Sequence, residues 1–243
     1  MIKKILSTLL VSSALLIFAA TGSMADRPTF AVGYTAAYGG YEATGQENEG
    51  AASPQEISKK TESGEFGYSS LFMEVSFADR VTVGASWMID GVETGLSSRT
   101  DSLCSLGSLN EQGETEPGCS TNGDEGTSSV KAALSNLTTG YVELNIWNGL
   151  YAKYGIMEMD LETKESLHTD SSYPNGSMDG ETYGFGWKGS FDNGVFVKTE
   201  TMMQDWSDLH LEADGSSGAT DTNSSVDASL SGAVATFSIG KSF

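Results

Sequence analysis

From Thr29 onward this chain is written in steps of two. Phe30, Val32, Tyr34, Ala36 and Tyr38 share one face of an extended segment, opposite Thr29, Ala31, Gly33, Thr35 and Ala37. Leu71, Met73, Val75 and Phe77 alternate in the same way with Ser70, Phe72, Glu74 and Ser76, and Val81, Val83, Ala85, Trp87 and Ile89 follow. The pattern returns at Val142–Ile146, Leu150–Ile156, Tyr183–Trp187 and Val195–Thr199, and again at Ala233, Ala235, Phe237, Ile239 and Phe243. Such alternation marks strands with one apolar face, and nothing after the N-terminus carries the 3.6-residue stripe of a helix. Eight strands result. Turns of about three residues near 79, 148 and 193 join them in pairs, the last through the hairpin signal Asp192-Asn193-Gly194. The connections between pairs, roughly 43–63, 91–137, 162–178 and 207–227, are long and polar.

Long and short connections alternate strictly, which a soluble sandwich has no reason to do. A sheet closed through a membrane does, with tight turns on one rim and loops on the other. The expected fold is therefore all-β: a transmembrane eight-stranded antiparallel up-and-down barrel with four long surface loops and three short periplasmic turns. A hydrophobic fraction of 38% excludes a bundle of membrane helices. It suffices for strands, which need only about 9–11 residues each to cross and are lipid-facing on one side. The 10 Phe, 9 Tyr and 4 Trp supply girdles. Phe77, Phe191 and Phe243 fall near the short turns, and Tyr38, Trp87, Tyr154 and Tyr183 nearer the loops.

The N-terminus is a segment of another kind. Lys3 and Lys4 precede the apolar run Ile5–Ala20, and Ser23 and Ala25 are small residues at cleavage-type positions. This is the pattern of a secretory leader over 1–25, leaving 26–243 as a single barrel domain. Cys104 and Cys119 suit export: two cysteines flanking a polar stretch in an oxidising compartment form a disulfide, worth about 3 kcal/mol in the loop-entropy account. A formal charge of −20 excludes nucleic acid as a partner, since phosphate neutralisation needs Lys/Arg clusters. It equally excludes attachment to anionic lipid through basic patches.

The C-terminal segment Ala235–Phe243, with apolar residues at Phe237 and Ile239 and a terminal Phe243, resembles the assembly signal of Gram-negative outer-membrane barrels. In layout the chain is similar to the small eight-stranded members of the OmpA, OmpX and OmpW kind, departing from their terminal pattern at Lys241. The resemblance implies the bacterial outer membrane as location. The implied partners are its lipid and lipopolysaccharide together with the outer-membrane assembly machinery.

Six charged residues fall on the inner face: Glu74, Glu143, Glu200, Lys153, Lys188 and Lys198. Three acids against three bases suit an ion-pair plug, because the interior of eight strands is just wide enough for side chains and an unpaired charge there is costly. The same inventory suits a narrow hydrophilic path, with inward Gly33, Gly84, Gly155, Gly184 and Gly186 leaving room for water. A catalyst needs a nucleophile or an activated water served by His or paired acids. Only His168 and His210 exist, both at loops, and Asp205 and Asp208 beside His210 offer no more than a chance acid–His pair. The expectation is a non-enzymatic barrel without cofactor, catalytic residue or structural metal, acting in envelope structure or surface interaction. A porin-like channel is the first alternative. A loop-displayed adhesin using Leu103, Leu106 and Leu109 is the second. Acidic loops could hold divalent cations weakly, bridging to lipopolysaccharide, although no spacing matches a calcium loop.

Overall fold

The computed structural model describes residues 28–49, 56–78, 80–93, 97–102, 125–166, 173–212 and 225–243. The leader expected at 1–25 and the Cys104–Cys119 pair lie outside them. Among the described residues there are eleven strands: β1 (Thr29–Glu49), β2 (Glu56–Phe77), β3 (Val81–Met88), β4 (Val92–Glu93), β5 (Ser97–Ser102), β6 (Glu125–Trp147), β7 (Leu150–Ser166), β8 (Gly176–Ser190), β9 (Val195–Trp206), β10 (Leu209–Glu212) and β11 (Ser225–Ser242). Short β4 and β5 prolong the β3 stave along β6, and β10 prolongs β9 along β11. Eight staves remain, each antiparallel to its neighbours. The last of them pairs with the first from Ala31↔Ser242 to Asn48↔Ser225, which closes the ring. Closure leaves the spanning strands no edge.

The two faces separate as the alternation requires. Phe72, Glu74, Tyr141, Glu143, Tyr151, Phe196 and Lys198 are buried inside. Leu71, Met73, Leu144, Ile146, Tyr154, Phe185, Phe237 and Ile239 point outward and are exposed, Phe185 at 64%.

The short turns follow from local chemistry. Asn148 and Gly149 both have positive φ (49° and 81°), the type I′ conformation that continues the strand twist through a two-residue hairpin. At the next rim turn Gly194 takes φ 79°, Phe191 N–H donates to Val195 O at 2.9 Å, and Gly194 N–H returns to Phe191 O. This is the three-residue hairpin with its last residue left-handed.

At the opposite rim the expected loop boundaries need correction. Much of 43–63, 91–137, 162–178 and 207–227 is strand: β1, β2 and β6 run for 21, 22 and 23 residues, about twice what a crossing needs. Polar composition misled here. Paired strands standing in water need no apolar face to satisfy their backbones.

These extensions divide. Among the described residues β2 pairs with β3 only over Ser70–Phe77, and beyond that point with β1 alone. The fork is pinned by Asp90, whose carboxylate accepts Ser69 N–H at 2.7 Å and Ser69 Oγ–H at 2.6 Å. A second fork lies where Ser207 N–H donates to Asp179 O, after which β10 follows β11 rather than β8. Above the closed ring the described strands continue as two paired groups, or wings, β10-β11-β1-β2 and β5-β6-β7-β8.

One irregularity shapes the interior. Asn136 adopts φ 56° at a bulge in β6, where its side-chain amide donates to Asp160 Oδ2 at 2.9 Å. The extra residue shifts the alternation, so Leu137 below it and Leu134 above it both turn inward.

Candidate functional site

The structure brings all six inward charges into one cluster. Lys198, on β9, lies at its centre and is 2% exposed. Its Nζ donates to Glu74 Oε1 at 2.5 Å and to Glu143 Oε1, and stands 3.7 Å from Glu200 Oε1. Lys153 donates to both oxygens of Glu200 at 3.0 and 3.1 Å and lies 3.8 Å from Glu143. Lys188, nearest the short-turn rim, reaches 3.7 Å from Glu74 Oε2, an oxygen without a hydrogen-bond donor. The register explains the convergence. Glu143 opposes Lys153 directly, and the like-charged pair Lys188↔Lys198 is tolerated because the Glu74 carboxylate lies between them, one oxygen toward each ammonium.

Tyrosines complete the cluster. Tyr141 OH donates to Glu74 Oε1 at 3.0 Å, Tyr151 OH to Glu200 Oε1 at 2.7 Å, and Thr236 Oγ1 to Glu200 Oε2 at 3.1 Å. The Lys153 ammonium also sits 3.8 Å above the Tyr141 ring and that of Lys188 4.1 Å from the Phe196 ring, favourable cation–π placements.

The space over most inward glycines is taken up by neighbouring side chains rather than left open as a hydrophilic path requires. Phe72 lies over Gly33, Tyr141 over Gly84, Tyr151 over Gly186 and Phe196 over Gly240, each ring covering the glycine directly opposite it on the neighbouring strand. A Cβ at Gly155 would meet Thr182, Tyr141 and a backbone oxygen. The missing side chains are the space that the aromatics fill.

The inner face is also less uniformly polar than alternation suggests. Above the charges is a small chamber of about 50 Å³ bordered by Ser70, Ser86, Thr139, Thr182 and Gln204. Over that lies an apolar layer of Leu137, Met157, Met159 and Met178, backed by Tyr68, Met88 and Trp206. The signal was in the sequence, since Met157 and Met159 occupy inward positions of β7. It is obscured around Leu134 and Leu137, where the bulge breaks the period.

Phe237 and Ile239 face outward on β11, the strand that closes the ring, and the exposed Phe243 follows directly after it, its N–H donating to Phe30 O at 2.8 Å. Lys241, the departure from the terminal pattern, bends its ammonium to the carbonyl of Asn193 in the rim turn. Its stem can lie on the apolar band while its charge reaches water.

The two histidine candidates resolve differently. His168 lies outside the described residues. His210 stands on the exposed β10 wing, where Nδ1 is 2.6 Å from Asp227 Oδ1 and Nε2 is 3.7 Å from Glu212 Oε1. Asp205 instead accepts the hydroxyl of Tyr183, and the carboxylate nearest His210 is the cross-strand Asp227 rather than Asp205 or Asp208. The Asp227 hydrogen bond, helped by its charge, raises the His210 pKa above its ordinary 6.5. A raised value means that the pair contributes fully below pH 6.5 and is lost as pH rises through the shifted value. Protection of the Leu209–Glu212 amides, taken as the intrinsic exchange rate at each pH divided by the observed rate, is expected to be greatest below pH 6.5 and to fall above it, and a His210→Gln variant should lose that fall; pH-independent protection in the unaltered protein would refute the pair's role.

On the other wing Glu93 takes hydrogen bonds from Lys131 and from Lys164, the latter at 3.1 Å, which hold its pKa below the usual carboxylate range. Part of the loop acid is thus internally neutralised. Among the described residues no three of His, Cys, Asp and Glu converge as a metal site.

Solved outer-membrane proteins are among the structures to which the chain shows a distant likeness. OprG of Pseudomonas aeruginosa is 10% identical, over 87% of this chain and 96% of its own, with a TM-score of 0.45. The outer-membrane protease OmpT of Escherichia coli is 9% identical over 92% and 99%, with a TM-score of 0.42. AlkL, solved in lipid bilayers, is 8% identical over 92% and 94%, with a TM-score of 0.39. No family model and no curated protein matches the sequence. The barrel itself stands on the β1–β11 ladder.

Proposed function

We propose that this chain is an outer-membrane barrel with a sealed interior, serving without catalysis in envelope structure or surface contact. The carrying observation is the filled lumen: a charge cluster of three lysines and three glutamates, aromatic rings seated on glycines, and an apolar layer above. Roughly three or four waters would fill the chamber between them, far less than a solute path requires. Membrane residence is supported by the outward band, since a soluble surface seldom leaves so many large apolar side chains contiguous and exposed. Tyr38 and Tyr183 fit an interfacial girdle: their rings lie outward and their hydroxyls bond Glu65 and Asp205 toward the wings. Lipid and lipopolysaccharide are then the immediate surroundings, and the outward Phe237 and Ile239 of the closing strand with the exposed Phe243 after it suit recognition by the assembly machinery.

The test is electrical. Refolded barrel inserted into a planar bilayer is expected to be silent, and steady unitary conductance from the unaltered protein would overturn the sealed-lumen reading in favour of a porin-like channel. The adhesin alternative places its contacts at Leu103, Leu106 and Leu109, outside the described residues.

A further inference from the structure

We propose that Met157, Met159 and Met178 form a binding site for a soft monovalent cation, Cu(I) or Ag(I), inside the loop-side end of the barrel. Around the layer stand Leu134 and Leu137 on β6, Leu209 on β10 and Leu230 on β11, with Tyr68, Trp206 and a fourth methionine, Met88, packed at its border. On β7 and β8 it is built from thioethers. Met159 opposes Met178 directly in the β7–β8 register, and Met157 is the next inward residue along β7. All three are buried, between 4% and 5% exposed, and belong to one packed cluster.

Directly opposed residues have Cβ atoms about 4.5–5.5 Å apart, and next neighbours on the same face about 7 Å. An unbranched methionine with three rotatable bonds spans such distances, so three sulfurs can reach one ion. Thioethers are soft donors that select Cu(I) and offer little to Mg²⁺ or Ca²⁺, which want oxygen. Neutral ligands and a single positive charge keep the cost of burial low compared with a divalent ion.

A second observation points the same way. Gln204 Nε2 donates toward Met157 Sδ at 3.6 Å, so this sulfur presents a lone pair to a polar partner rather than to hydrocarbon. Met157 and Gln204 also border the polar chamber, which leaves space beside that sulfur for a water as an additional ligand. The chain's charge of −20 raises the local concentration of any cation approaching it.

The test uses the refolded full chain carrying Cys104→Ser and Cys119→Ser, so that no thiol competes, with methionine methyls labelled by carbon-13. Titration with Ag(I) is expected to saturate at one equivalent and to move the methyl signals of Met157, Met159 and Met178, leaving the outward Met73 and Met203 in place. Zn(II) should move none of them. Met159→Leu and Met178→Leu, which conserve volume, should each weaken binding by at least about tenfold. Heat-modifiable migration on a gel verifies that each variant has folded, and the two single variants give independent readings. Shifts spread equally to Met73 and Met203, no saturable response, or unchanged affinity in both leucine variants would overturn the site.

Discussion

Replacing Lys198 by alanine is expected to destabilise the barrel by about 3–5 kcal/mol, the range seen when one partner of a buried ion pair is removed. The ammonium is 2% exposed and meets Glu74 and Glu143 directly, with Glu200 at 3.7 Å. Without it, three carboxylates crowd a space served by Lys153 and Lys188 alone, and Glu143 keeps only a 3.8 Å contact. The measurement is the urea midpoint of the refolded barrel in vesicles, followed by loss of its heat-modifiable migration. The double variant Lys198→Met with Glu143→Gln removes one charge of each sign, and should recover much of the loss. Lys60→Ala provides the contrast. Its partner Glu62 lies 2.5 Å away, but both side chains are more than half exposed, so the cost should be no more than about 1 kcal/mol. Equal midpoints for Lys198→Ala and Lys60→Ala would mean that the inner cluster contributes nothing as a network.

Gly184→Ala is expected to cost about 1–3 kcal/mol through overpacking, although it adds one methyl group. The new Cβ would stand 2.9 Å from Met202 Cα and 3.0 Å from the carbonyl carbon of Thr201, and still nearer to the Thr201 oxygen. These are backbone atoms of the opposing strand, so no rotamer change relieves them. Gly40→Ala is the matched control, because the nearest atom to its Cβ is Gly64 O at an ordinary 3.6 Å. If both variants unfold at the same urea concentration, close strand approach is not what selects glycine at 184.

The alternation that exposes the fold also limits what can be read from it. Phe72, Tyr141, Tyr151 and Phe196 are plainly inward by parity, as are Gly33, Gly84, Gly186 and Gly240. That each ring covers one of those glycines depends on strand register, and the register comes from the closing of the ring. The charge cluster was visible as an inventory of three acids and three bases. Its hub, Lys198, was not, since centrality is a matter of height and shear. Asn136 hid the placement of Leu134 and Leu137, because one left-handed residue reverses the parity of everything beyond it. The wings were concealed by their own polarity: a strand in water on both faces writes no pattern, so Gln46 and Lys59 look like loop although they are partners in a ladder.

The two forks at Asp90 and Ser207 have an architectural consequence. Beyond them, among the described residues, the wing strands pair with one another and continue strands that rise out of the ring. Substitutions at paired wing positions such as Gln46 and Lys59 therefore fall outside the ladders that hold the Lys198 hub and the glycine–aromatic contacts. The molecule is built as a chassis with replaceable fittings, so foreign sequence could be grafted on its rim without rebuilding the part that sits in the bilayer.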